Sequence, residues 1–129
     1  MGIYKGYAGE PLAHQIEAGA DMFLMPSLYE PCGLNQMYSM RYGTVPIVRA
    51  TGGLDDTVQQ FDAVSGTGNG FKFEPYDAGA LLEKIRQALY FYGRSETWST
   101  IQQNGMSVDN SWSAAAKKYV ELYEEVLKL

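Results

Sequence analysis

With 129 residues the chain is long enough for one domain with a real core and short for a complete two-domain enzyme. Hydrophobic residues make up 46% and charged residues 19%, a globular balance that excludes a disordered chain. The formal net charge of -5, with no basic cluster, argues against nucleic acid or an anionic membrane as the main partner.

In chain order, Ile3–Tyr7 is a short β-rich run that Ala8-Gly9 ends. Glu10-Pro11 opens a helix, since proline is tolerated in a first turn where its missing donor is unpaired anyway. Leu12, Ile16 and Ala20 mark its apolar face, Gly19 its end, and His14 lies off that stripe as a surface or half-buried helix residue, with a functional contact as the alternative. Met22–Met25 is an almost continuous apolar run, the pattern of a strand buried on both faces of a parallel sheet. Val45–Val48 repeats it, with Pro46 near the strand start, and Gly70–Phe73 is a weaker third strand. Between the first two, Gly33 to Tyr42 forms a helix closed by Gly43. This βαβ rhythm predicts a parallel sheet with right-handed crossovers.

Ser65–Gly70, with three glycines, reads as a flexible connection, since no P-loop lysine follows and no helix starts there. Three helices finish the chain. Asp77 caps the first, which carries Leu81, Leu82, Ile85, Ala88 and Leu89, and Ser95 caps the second, which carries Trp98 and Ile101. The last starts near Ser111, and Trp112, Ala116, Tyr119, Val120, Tyr123, Val126 and Leu127 form a stripe that reads as core or docking surface. The fold class is therefore α/β: a partial Rossmann-like domain, with a short parallel sheet of three to four strands flanked by helices and a helical C-terminus.

The chemistry gathers in Met25–Val58, whose two turns open on the edge of a parallel sheet where open α/β folds bind ligands. Glu30 follows a buried strand; its carboxylate can accept hydrogen bonds from sugar hydroxyls, stabilise a developing positive charge, or simply cap the next helix. Gly33, Leu34 and Asn35 start that helix, where free backbone N–H groups can cradle a phosphate without a lysine. Thr51-Gly52-Gly53 faces the same edge and adds donors, so the set suits a sugar diphosphate. Cys32 is the single cysteine, so no internal disulfide forms and a reducing compartment is expected. It reads as a pocket-lining or packing sulfur, with a nucleophile as the alternative.

These residues resemble a known family. Asp21–Ser27, Tyr29-Glu30-Pro31-Cys32-Gly33-Leu34-Asn35-Gln36 and Arg41–Thr44 are similar to bacterial glycogen synthases and plant starch synthases. So are Thr51–Leu54, Asp56–Val58 and Ser111-Trp112 with Ala115-Ala116-Lys117 and Tyr119. The resemblance implies a retaining, metal-independent glucosyltransferase of the GT-B fold, with no cofactor. Its substrates would be ADP-glucose, or UDP-glucose in some members, and the non-reducing end of an α-1,4-glucan. It implies Glu30 as the catalytic glutamate, Cys32, Gly33 and Leu34 at the donor glucose, and Leu34 and Asn35 amides at the distal phosphate. Thr51, Gly52 and Gly53 fall in the loop by the phosphates and ribose, and Tyr7 matches a tyrosine near the adenine. Many wider relatives carry a second glutamate after seven intervening residues; here Tyr38 stands there, as in the glycogen synthase branch.

The family's lysine-bearing glycine motif is not in this sequence, and the start is abrupt. The expectation is that residues 1–129 form the second half of the C-terminal nucleotide-sugar-binding domain, inactive alone, with a weak nucleotide-sugar-binding module or an assembly fragment without activity as alternatives, and located in the cytoplasm, or in a plastid if from a plant. No apolar run is long enough to span a membrane and no signal-peptide pattern opens the chain. The Met22–Met25 edge would be left open, predicting a rearranged first strand or a homo-oligomer.

Overall fold

The computed structural model describes residues 9–129, so Tyr7 and the Ile3–Tyr7 run lie outside the described residues. Nine elements follow in order among these residues: α1 (Glu10–Gly19), β1 (Met22–Met25), α2 (Asn35–Tyr42), β2 (Val45–Arg49), α3 (Gly53–Thr57), β3 (Phe71–Phe73), α4 (Ala78–Tyr92), α5 (Ser95–Ser107) and α6 (Trp112–Val126). The three strands form a parallel sheet in the order β1-β2-β3, with Met22 opposite Val45 and Ile47 opposite Phe71. The expected rhythm holds; its second crossover helix is the five-residue α3.

Alternation along β2 assigns the two faces. Val45 and Ile47 join Phe61, Phe71, Ala88, Trp98 and Ile101 in the larger core under α4 and α5. Val48 points the other way, into a smaller core with Leu54 and Val58. Period-2 geometry thus uses one strand for both layers, which is why β2 reads as an unbroken apolar run. Met40 and Gly105 bring α2 against α5 on a third contact. Gly43, at φ 83°, closes α2, as its sequence predicts.

Several expectations change. β1 is not buried on both faces: Leu24 is 48% exposed, because β1 is the sheet edge among the described strands. In α1 the apolar residues Leu12 and Ile16 face outward while Glu17 is buried. The helix packs on α2 through its polar side, with His14 5.5 Å from the Tyr38 ring and its Nδ1 3.3 Å from Tyr42 Oη. The α2 helix starts at Asn35, two residues after Gly33. Asp77 caps α4 and Ser111 caps α6 through N–H bonds from Ala80 and Ala114, but Ser95 is already helical and Arg94 is the N-cap of α5.

The glycine loop before β3 is tied down. Asn104 of α5 donates to the carbonyls of Gly66 and Gly68 at 2.9 and 2.8 Å, and Asn69 accepts from Gln59 N at 2.7 Å. The long stripe of α6 is exposed throughout, from Trp112 to Leu127. Among the described residues no helix is long and apolar enough to cross a membrane.

Candidate functional site: two turns at the carboxyl edge of the sheet

β1 ends at Met25 and β2 at Arg49, so the Glu30–Asn35 turn and the Thr51–Gly53 loop both leave the same edge of the sheet. The sequence predicts this much; the structure adds that the two turns touch. Gly53 N donates to Glu30 O at 3.1 Å. At Gly52, φ is 48° and a Cβ would collide with Glu30 O; at Gly53 a Cβ would collide with Cys32 backbone. The two glycines are therefore required by close backbone approach as much as by turn conformation.

Gln36, fully buried on the first turn of α2, donates from Nε2 to Gly33 O at 2.9 Å, Cys32 O at 3.2 Å and Thr57 Oγ1 at 3.1 Å. Gly33 adopts φ 71°, and a Cβ there would lie 2.6 Å from Gln36 Oε1, so another residue would be strained and would displace the Gln36 amide. Upstream, Arg49 braces the approach to Glu30. Its Nη1 donates to Leu28 O at 2.7 Å and its Nε to Glu74 O at 3.0 Å, holding the segment between β1 and the turn against the end of β3. Lys72 reaches from β3 to Asp55 of α3 at 2.6 Å, the one ion pair found among the described residues.

Glu30 is half-buried and Cys32 exposed, with the Cys32 thiol 3.6 Å from Gly33 O. Leu34 is half exposed, at 52%. Among the described residues the amides of Leu34 and Asn35 donate to no backbone carbonyl outside the helix, so they remain available at the start of α2. The Gly53 amide is different: Glu30 O occupies it, so the donors left in the second loop belong to Thr51 and Gly52. Glu30, Cys32, Gly33, Leu34, Asn35, Thr51 and Gly52 thus reach the surface along the two joined turns, Gly53 is buried where they meet, and Tyr7 lies outside the described residues.

Three contributors were not singled out as site residues from the sequence: Gln36, Arg49 and Thr57. Gln36 lies inside the Tyr29–Gln36 motif and Thr57 inside Asp56–Val58, but the buried amide shows no local pattern, because its partners are backbone carbonyls and a threonine 21 residues away. Two cavities lie elsewhere among the described residues. One of about 560 Å³ runs between α3 and the α5–α6 junction, lined by Asp56, Asn69, Asn104 and Asp109 among others. The other, about 330 Å³, lies between Pro26, Phe73 and Leu81. Glu30 lines neither.

Known proteins are similar to this chain. Residues 4–123 match the family model described as Glycosyl transferases group 1. Over 114 residues the chain is 58% identical to a glycogen synthase of Koribacter versatilis (strain Ellin345), covering 88% of this chain and 24% of that protein. Over 128 residues it is 52% identical to a glycogen synthase of Geobacillus thermodenitrificans (strain NG80-2), covering 99% of this chain and 26% of the relative. The catalytic domain of starch synthase IV from Arabidopsis thaliana, solved with ADP and acarbose, superposes with a TM-score of 0.83 at 38% identity over 95% of this chain and 26% of that one. The chain spans about a quarter of the length of the curated relatives it matches. A sheet with both turns on its carboxyl edge, and a family match running almost end to end, place this chain among the group 1 glycosyltransferases.

Proposed function

We propose that this chain supplies one wall of the donor site of a glycogen or starch synthase-like glucosyltransferase, as the second half of the C-terminal domain of a GT-B enzyme. The observation that carries the reading is the Gly53 N to Glu30 O bond, which joins a carboxylate-bearing turn to a glycine loop beside the unspent amides of Leu34 and Asn35. Amides at a helix start suit the diphosphate of ADP-glucose or UDP-glucose, and Glu30 suits the sugar. Support comes from the glycogen synthase relatives and from a starch synthase neighbour that holds ADP and acarbose.

Each residue then has a task. Glu30 faces the reacting glucose, where a carboxylate can stabilise positive charge as the bond to the leaving diphosphate breaks. Cys32, Gly33 and Leu34 bound the glucose, the Leu34 and Asn35 amides hold the distal phosphate, and Thr51 with Gly52 lies by the phosphates and ribose. Gly53 acts by letting the two turns meet. Tyr7 packs near the adenine. The acceptor is the non-reducing end of an α-1,4-glucan, and neither metal nor cofactor takes part. The complete enzyme works in the cytoplasm, or in a plastid if plant-derived.

Alone, the chain binds donor weakly and transfers no glucose, since catalysis needs charge-stabilising groups on the opposite wall. Titrating the chain with ADP-glucose while following amide NMR shifts tests the reading. Shifts confined to Glu30–Asn35 and Thr51–Leu54 are expected; none at millimolar ligand overturns it. The place of β1 at the sheet edge among the described strands and the exposed stripe of α6 favour a second property, self-association of the isolated chain.

A further inference from the structure

Gln36 and Thr57 connect the two turns through a closed circuit of hydrogen bonds. The Gln36 amide faces two carbonyl oxygens, those of Cys32 and Gly33, which have no proton to give, so its N–H₂ end must point toward them. The same Nε2 lies 3.1 Å from Thr57 Oγ1, so its two protons serve three acceptors with the two carbonyls sharing one, and the Thr57 hydroxyl passes its one proton on to Gly53 O at 2.6 Å. Gly53 N returns to Glu30 O at 3.1 Å. From Glu30 and Cys32 through Gln36 and Thr57 to Gly53 and back, the circuit spans both turns. Gln36 is fully buried and Thr57 half-buried, a setting in which hydrogen bonds are stronger and an unmade one is costly.

We propose that Gln36 and Thr57 are positioning residues: they hold the Glu30–Asn35 turn and the Gly52–Gly53 loop at one separation, and so set how tightly the nucleotide part of the donor is held. This rests on the nucleotide-sugar reading of the site. Neither side chain is placed on the ligand. Both turns present backbone amides, whose directions follow the path of the chain, so a ligand that bridges them feels any change in their separation. Geometry loose by a fraction of an ångström is enough to weaken such a site.

Thr57→Val keeps the shape of the side chain and removes the hydroxyl, while Thr57→Ser keeps the hydroxyl. With ADP as probe and the Leu34 and Asn35 amide signals as readout, Thr57→Val is expected to weaken binding about tenfold, the loss of roughly one buried hydrogen bond. Exchange of the Gly53 amide with solvent should accelerate by a similar factor while Ile47 and Val48 stay protected, and Thr57→Ser should restore both. Gln36→Met, which removes the amide but not the bulk, is read in the same way if Thr57→Val does not fold. Unchanged ADP affinity together with unchanged Gly53 exchange overturns the proposal, as does a loss that Thr57→Ser fails to restore. If ADP moves no signal in the native chain, the nucleotide-sugar reading falls, and the turn-to-turn clamp is still decided by Gly53 exchange: unchanged exchange in Thr57→Val overturns it.

Discussion

Glu17 is a buried carboxylate on α1 whose Oε2 has no hydrogen-bond partner among the described residues. Its neighbour Thr44 places Oγ1 at 2.5 Å from the Glu17 carbonyl and 2.8 Å from that of Ala20, serving the helix end and not the carboxylate. Burial raises the acid's affinity for its proton above the usual value near 4.5, and the positive charge of His14 pulls the other way. Because the folded pKa lies above the unfolded one, this group favours folding most below the unfolded pKa. The contribution is lost as pH rises through the folded pKa. Glu17→Gln removes the charge that burial opposes, so the variant should be more stable than the native chain at pH 7 by about 1 kcal/mol, the order of one unmet buried polar group. Urea unfolding at pH 7 and pH 4 checks this: the advantage should shrink in acid, and a difference independent of pH would refute the account. Nothing in the local sequence marks Glu17 as buried, since the apolar pattern of Leu12 and Ile16 points to the opposite face.

At the scale of elements, α6 departs most from what its pattern predicts about burial. Ser111 caps it as expected, and Tyr119 and Tyr123 lie with ring centroids 6.3 Å apart along one side. Yet no residue of α6 is buried. An amphipathic stripe states that a helix has an apolar face; it does not state what covers that face. Tyr119→Ser combined with Tyr123→Ser should therefore change the stability of this chain by no more than about 0.5 kcal/mol, as surface substitutions do. A loss of several kcal/mol on urea unfolding would mean that the stripe is packed. The α4 helix shows the opposite case: Ala88 is fully buried, with Leu81 and Ile85 packed against the core, while Leu82 and Leu89 remain half exposed on the same helix. Its pattern was legible because a sheet face is present to receive it.

Among the described residues the sheet has three strands with β1 at its edge, and the aromatics of α6 are exposed. Unpaired strand groups and a continuous apolar stripe both lower their free energy by meeting another surface. Size-exclusion chromatography with light scattering should show dimers or larger species as concentration rises to the high micromolar range. A strict monomer throughout would count against association. The Tyr119→Ser, Tyr123→Ser pair separates the two routes, since it lowers association through α6 and leaves association through the β1 edge unchanged.

Local residue chemistry sufficed for the parallel α/β order, the caps at Asp77 and Ser111, the closure of α2 at Gly43 and the placing of Glu30 and Thr51–Gly53 at one sheet edge. Those features depend on side-chain periodicity and on turn residues within a few positions of each other. The family resemblance, too, was legible in the motif Glu30–Gln36, and the family match bears it out. Tertiary structure alone decided that the two turns touch, that Gln36 and Thr57 join them, that Arg49 braces the approach to Glu30, and that α1 turns its polar side inward. The physical reason is shared: these are contacts between backbone groups and side chains from 21 to 28 positions apart, or burial set by which neighbour is present. No local pattern encodes a carbonyl's partner, and only the packed chain brings donor and acceptor within reach.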